Sequence, residues 1–564
     1  MKEGHGIMLG GVLERDDTSE SRNQAYNTKD DEKVAWVSLK RSAGGHRIAT
    51  YLREQGGDIE VLDFWPAWTR EELLQFFKSR VREDTYWVGI SAMFPLGGSG
   101  AKNQAKVQEM VGIIRELKEL YPQLAFIGGA QNISAVLAYP LDYYVGGFGE
   151  YAIVEVLKHV KGEPCNLKVH KRIYWGAERN VIECRHDYPA FPMPEAAVKY
   201  EERDYIQPDE VLTIELARGC KFQCKFCSFT VLGVKDDYSR CAESLDAELR
   251  ENYEKWGVTM YTVSDETIND RPEKLKKIAE ISRNLPFELN LMGFMRGDLL
   301  VANPDTWQDI WDMGLWSHFY GIETLNHEAG KFVGKGMNPE RLKDGLLKVK
   351  KWFEDQGKYR VTLSTIIGIP GETRETALAT KDWIKENYAG HSYSFAPLYI
   401  ADGDMMHMMT NPSEFDRTWR ESGKFWELDK DFIDNVDWSE IPEANHEFAK
   451  FYLQSPGIAK WGHDTMNIWE AMKIFSEINH DPDLTKSLAP GIFYYHRYLT
   501  GGKYQLDDMM KDFNEIETFS AKDVAFQSKW IDEYKQRKLH GLSLIHISEP
   551  TRRTPISYAV FCLK

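Results

Sequence analysis

The sequence predicts an α/β protein in three parts: an N-terminal doubly wound parallel sheet, a central partial TIM-like βα barrel and a C-terminal, mostly helical domain. Three observations predict it. Short apolar runs rich in β-branched and aromatic residues alternate with amphipathic stretches as far as residue 400, in two series parted by a Pro-rich, charged joint. Beyond residue 400 the runs give way to helical, aromatic segments. A chain of 564 residues also exceeds the size at which one core keeps growing, so several domains are expected.

In chain order, residues 1–32 are polar and charged, lack the basic flank and apolar core of a secretory signal, and are expected to be a disordered lead-in to a cytoplasmic protein. The first series occupies 33–165, with strands expected at 34–39 (VAWVSL), 59–64, 86–94, 124–130 and 143–148, and amphipathic helices between them such as TREELLQFFKSRV. Continuous apolar strands alternating with helices indicate a parallel sheet, whose ligands bind at the carboxyl ends of the strands. Residues 166–208 are expected to be a linker, and the second series fills 209–400. Its strand candidates are 211–219, 258–265, 288–296, 317–323, 360–370 and 392–400, about six βα units against the eight of a closed barrel. In the helical domain at 401–541 the spacing of the Trp and Phe residues fits core packing. Residues 542–564 (LSLIHISEPTRRTPISYAVFCLK) depart in composition from everything before them and resemble a translated sequencing-library adapter, so they are left out of the fold.

Net charge is −17, and the tail holds three basic residues against one acidic, so the remainder is more acidic still. That balance argues against bulk nucleic-acid binding, which needs clustered positive charge. No apolar run approaches the length of a membrane span, so no membrane association is expected.

The chemistry is concentrated in ELARGCKFQCKFCSF, where Cys220, Cys224 and Cys227 stand at C-x3-C-x2-C. Seven cysteines scattered unevenly through a large chain are not a disulfide framework. Two metal sites compete for the spacing. Structural zinc closes a tetrahedron with four ligands, and the fourth would have to be Cys241 or an unplaced residue. A 4Fe-4S cluster also takes thiolates from one loop, and three of them leave one iron open for a substrate or cofactor.

The three cysteines just after the first barrel strand, with aromatic Phe226 before the last, resemble the radical S-adenosylmethionine superfamily. Further segments match in order. SDETIND (264–270) lies where the family places an acidic patch for the methionyl amine, which implies Asp265 or Glu266. FMRGDLL puts Arg296 where the family often has a basic residue near the cofactor. GIET resembles the family's G-I-E-S, whose Glu, here Glu323, lies near the cofactor ribose, and KGMN (335–338) follows. IIGIPGET, with Ile366 and Gly368, resembles the stretch beneath the adenine, with Ser364 in place of the family's first Gly. The resemblance implies a 4Fe-4S cluster, S-adenosyl-L-methionine, a 5′-deoxyadenosyl radical that abstracts hydrogen from an unactivated C–H bond, and an electron donor such as flavodoxin or ferredoxin.

VGGFGEYAIVEVL is similar to the end of the N-terminal domain in the cobalamin-binding branch of that superfamily, and Ser91, Gly128 and Gly129 correspond to its S-x-L and G-G positions beside the nucleotide tail. This resemblance implies cobalamin and methyl transfer to an unactivated carbon. The chain departs from the branch after its first predicted strand: SLKRSAGGHRIA stands where D-x-H-x-x-G would present a histidine to cobalt, and His46 falls at another offset within a helical segment. A cobalamin-independent isomerase, cyclase or oxidoreductase is the near alternative, and a zinc-stabilised binding module is the one from another class. No cysteine in 1–164 or in 242–541 provides for a further cluster, and nothing in 401–541 names a substrate.

Overall fold

The computed structural model describes residues 4–10, 12–15, 36–92, 101–130, 133–184, 196–228, 239–484 and 530–540, apart from short gaps at 175, 208–209, 390, 404–405, 407–411, 420, 422–424, 455–456 and 482. The stretch read as an adapter-derived tail and positions 93–94 of the strand expected at 86–94 lie outside the described residues.

The N-terminal sheet is built from β1 (His5–Leu9), β4 (Asp58–Leu62), β5 (Thr85–Ser91), β6 (Ala125–Ala130), β7 (Tyr143–Gly147), β8 (His170–Tyr174) and β9 (Ala177–Cys184), in the order β4-β1-β5-β6-β7-β9-β8. All pairs are parallel except the β8–β9 hairpin at the edge. Helix Arg70–Arg80 opens on a capping box between Thr69 and Glu72. With Ala101–Leu120 it covers one face, through Leu73, Phe76, Phe77, Ile113 and Leu117. Helices Ala43–Glu54 and Glu150–Val160 cover the other through Ala49, Leu52, Ile153 and Val156.

Three boundaries differ from the expectation. His5–Leu9 lies in the supposed lead-in, yet all five residues of HGIML are buried inside the sheet, between β4 and β5. So short a strand, begun by His and Gly and followed by charge, shows no periodic signal. The predicted first strand, VAWVSL, contributes instead to β3 (Trp36–Lys40), which pairs antiparallel with β2 (Val12–Arg15) in a separate ribbon. The supposed linker holds β8 and β9, and the basic run at the start of β8, largely exposed, suits an edge strand open to water.

The second sheet runs β10 (Val211–Ile214), β11 (Met260–Val263), β12 (Asn290–Arg296), β13 (Leu315–Glu323), β14 (Arg360–Ile367) and β15 (Ser392–Pro397), all parallel and in sequence order. Helices Ala242–Trp256, Pro272–Arg283, Pro339–Asp355 and Arg374–Asn387 pack on its outer side through Leu249, Ile278, Leu346 and Ile384. The predicted helical domain has no core of its own among the described residues. Phe415, Phe425, Trp461, Trp469 and Phe475 join the outer core of the barrel, and the Trp461 indole donates to the Leu398 carbonyl at 2.8 Å. Helix 530–540 crosses to the N-terminal sheet, where Trp530, Ile531 and Tyr534 are buried beside Phe64 and Trp68.

Candidate active site at the cysteine loop

The cysteines follow β10 at the carboxyl end of the parallel barrel strands, where helix N-termini and loops are free to converge. The Cys227 N–H donates to the Cys224 carbonyl at 3.0 Å, which closes the C-x2-C turn. Cys224 is buried, while Cys220 and Cys227 are half-buried. Arg296, at the end of β12, donates through Nη1 to Cys224 Sγ at 3.2 Å, and its guanidinium lies 4.1 Å from the centre of the Phe222 ring. Asp298 holds the other side of that guanidinium at 2.6 Å. Burial pushes the Cys224 thiol up, and Arg296 and Lys335 pull it down. Cys220 Sγ lies 3.5 Å from Thr267 Oγ1.

Among the described residues no three His, Cys, Asp or Glu side chains converge on a single ion. A mononuclear tetrahedral centre draws its ligands to one point, whereas a cubane takes one thiolate on each of several irons. Cys241 does not join the loop: it is the N-cap residue of the helix Ala242–Trp256. Three thiols on one loop, with a guanidinium against one of them, form a donor set that fits an iron–sulfur cluster of negative charge.

The acidic pair after β11 divides its work. Asp265 Oδ1 accepts the backbone N–H groups of Leu216 and Ala217 at 2.9 and 3.1 Å and so pins the start of the cysteine loop. Burial pushes its carboxyl up to about 6 despite Lys274. Only Oδ1 is engaged in this way, while Oδ2 is buried without a hydrogen-bond partner among the described residues. Glu266 is half-buried, and burial pushes its carboxyl up to about 7.

Glu323 ends β13 with φ +66°, a left-handed conformation rare for a residue with a Cβ. Its Oε1 accepts from Lys335 Nζ at 2.9 Å, and Lys335 also reaches the Gly321 carbonyl at 2.5 Å. A small cavity lined by Asp298, Gly321, Thr324, Asn326 and Lys335 opens beside the pair. Lys335 is the Lys of KGMN, a segment that the sequence pattern marked without giving it a partner. Phe226 packs partly buried against the barrel core, as does Ile366.

Gly368, φ +91°, follows β14, and a Cβ there would strike the Trp461 ring. Its N–H donates to Glu372 Oε2 at 2.8 Å, while Thr324 donates to Glu372 Oε1 at 3.1 Å. Glu372 thereby ties the β14 turn to the residue after Glu323, and burial pushes its carboxyl up to about 7.

Arg218 joins the two sheets. In the approach to Cys220, it donates through Nη2 to Glu150 Oε1 at 2.8 Å and packs on Phe148. The Glu of the GFGE motif thus faces the cysteine loop. At the carboxyl edge of the first sheet, Ser91 and Ser42 hydroxyls meet at 2.9 Å. A Cβ on Gly129 would meet nothing within 4 Å, whereas one on Gly128 would strike Leu141. Gly128 is therefore small for the packing of its own sheet, and Gly129 leaves open space. His46 Nε2 is held 2.8 Å from Asp63 Oδ2, buried on its helix as the sequence offset implied.

Residues 214–384 match the radical SAM superfamily. An uncharacterized methyltransferase of Pyrococcus horikoshii is 27% identical over 171 residues, 30% of this chain and 36% of that protein, so the match spans about a third of the relative's length. Among solved structures, the radical S-adenosylmethionine methyltransferase TsrM from Kitasatospora setae, with cobalamin and a [4Fe-4S] cluster bound, superposes with a TM-score of 0.59 at 14% identity, over 92% of this chain and 99% of that one. The cobalamin-dependent S-adenosylmethionine radical enzyme OxsB with aqua-cobalamin bound gives a TM-score of 0.52 at 12% identity, over 96% and 81% of the two chains. Residues 214–384 are accordingly a radical SAM superfamily domain, carried on a fold shared with TsrM and OxsB.

Proposed function

We propose that the protein is a radical S-adenosylmethionine enzyme that transfers a methyl group to an unactivated carbon, with a 4Fe-4S cluster on Cys220, Cys224 and Cys227 and cobalamin against the first sheet. The observation that carries the reading is the Arg296 guanidinium 3.2 Å from Cys224 Sγ, within a three-cysteine loop at the carboxyl end of parallel strands. A cluster held there, with S-adenosylmethionine on its open iron, supplies one-electron cleavage of the sulfonium and a 5′-deoxyadenosyl radical.

The chain's own residues bind and orient. Arg296 and Lys335 offset negative charge at the thiolates. Asp265 or Glu266 would offset the ammonium charge of the cofactor, Glu323, set by its Lys335 pair, would hold the ribose hydroxyls, and Gly368 and Ile366 would serve the adenine. The open space at Gly129, beside Ser91, would accommodate a nucleotide tail, and His46, engaged by Asp63, would not be free to ligate cobalt. A flavodoxin- or ferredoxin-type donor would supply the electron, which suits a cytoplasmic location; no helix among the described residues is long and apolar enough to cross a membrane.

The test is anaerobic reconstitution followed by counting iron, sulfide and cobalamin per chain. Cys224→Ala leaves two thiolates and should abolish both iron retention and 5′-deoxyadenosine formation, while Cys184→Ala and Cys241→Ala should leave both intact. A colourless protein that holds zinc through Cys241 overturns the reading. Protein that forms 5′-deoxyadenosine but retains no cobalamin points to a cobalamin-independent radical reaction.

A further inference from the structure

Phe294, on the third of six barrel strands, leaves 40% of its surface exposed although Gly293 and Met295 on either side are buried. An uncovered phenyl on a central parallel strand is costly, because such sheets normally bury both faces. Strand alternation assigns its direction: Met295 and Tyr320 belong to the outer core under the helices, so Phe294 and Phe319 point into the barrel. Their rings meet edge to face at 4.7 Å.

The register shows what surrounds them. Phe294 lies opposite Phe319, and Phe319 opposite Thr362. The next row toward the carboxyl ends is Arg296, Gly321, Ser364 and Ser394. Two residues along a strand span about 6.6 Å, so the phenyl pair sits one layer below the arginine that touches Cys224. Its walls on β14 and β15 are small: Ser364 and Ser394 are half-buried, and Ala396 is exposed.

We infer that this trough is the substrate pocket and takes a flat, apolar ring system, with Phe294 and Phe319 selecting the ring. The inference rests on the radical reaction proposed for the cysteine loop.

The test uses the full chain, reconstituted anaerobically, and two probes with one skeleton and one hydroxyl: flat 2-naphthol, followed by its fluorescence, and puckered decahydro-2-naphthol as competitor. Naphthol should bind saturably and the saturated alcohol at least about tenfold more weakly. Phe294→Ala should weaken naphthol by about tenfold, and Phe432→Ala, at a surface phenyl elsewhere, should leave it unchanged. Because Phe294 is exposed, its replacement is not expected to unfold the chain. Equal affinity of the two alcohols, or of wild type and Phe294→Ala, overturns the inference. So does a Phe294→Ala protein that keeps its iron but loses S-adenosylmethionine binding, since the ring would then serve the cofactor. Iron content and 5′-deoxyadenosine formation are read on the same samples, so a failure of the radical reading is seen separately.

Discussion

Glu150 Oε1 accepts a hydrogen bond from Arg218 Nη2 at 2.8 Å, and both side chains are buried. The pair ties the helix that begins after β7 to the loop that carries the cysteines. Glu215 also holds Arg218, at 2.8 Å, so the guanidinium has one partner from each sheet. Glu150→Ala removes the partner from the first sheet and should destabilise the protein by about 3 kcal/mol, the cost of leaving a buried charge short of a partner. Denaturant titration measures this, and Glu150→Gln should recover part of it.

Glu323→Ala should retain iron but bind S-adenosylmethionine more weakly by roughly 1.5 to 3 kcal/mol, one charge-assisted hydrogen bond. Equilibrium dialysis of the reconstituted protein measures it. Affinity equal to wild type would remove Glu323 from the cofactor site and leave its positive φ as a feature of the Lys335 pair.

Glu372 makes stability depend on pH. Burial raises its carboxyl from an ordinary 4.5 to about 7 in the folded chain. As pH rises from 4.5 to 7 the unfolded chain loses that proton first, so the folded state binds more protons and stability falls. Below that window the group costs nothing; above it the loss is complete, on the order of 3 kcal/mol. Glu372→Gln should flatten this part of the profile, as read by urea midpoints from pH 4 to pH 8.

Gly129→Val and Gly128→Val should part company. The first places its side chain in open space at the carboxyl edge of the sheet, so the folded protein should keep its melting temperature while hydroxocobalamin retention is lost. The second drives a side chain into Leu141 and Val136, and overpacking of about 1 to 3 kcal/mol should lower the melting temperature whether or not cobalamin is present.

Helix 530–540 holds down the first sheet. Tyr534 Oη accepts the Asp63 N–H at 2.9 Å, and Lys538 Nζ donates to the Val61 carbonyl at 2.7 Å. The Arg41 guanidinium lies 5.7 Å from the Trp530 ring centre and 5.3 Å from that of Tyr534. Ending the chain at residue 529 exposes the surfaces covered by Trp530, Ile531 and Tyr534, at roughly 1.5 to 3 kcal/mol for each buried side chain. Calorimetry should show the transition of the first sheet moving down while the barrel's stays.

The alternation of strands and helices was legible in the sequence for the second sheet, and for β4 to β7 of the first, because a fully buried parallel strand must be apolar along its whole length, and its covering helix must be apolar on one side. The cysteine loop was legible because thiolates at that spacing have few other uses. What each carboxylate does was not. Asp265 and Glu266 are adjacent and chemically alike, yet only the fold decides that Asp265 meets two backbone N–H groups of the cysteine loop. The partners of Glu150, Glu372 and Arg41 lie on other elements, so no local pattern announces them. Nor could it show that HGIML is a buried strand between β4 and β5, that the helix at 530–540 returns to the first domain, or that Phe294 faces the barrel interior. Periodicity encodes which face of an element is apolar. Which surface covers that face, and which polar group meets which, is set by long-range packing, where the free energy depends on shape and pairing and residue type alone does not determine it.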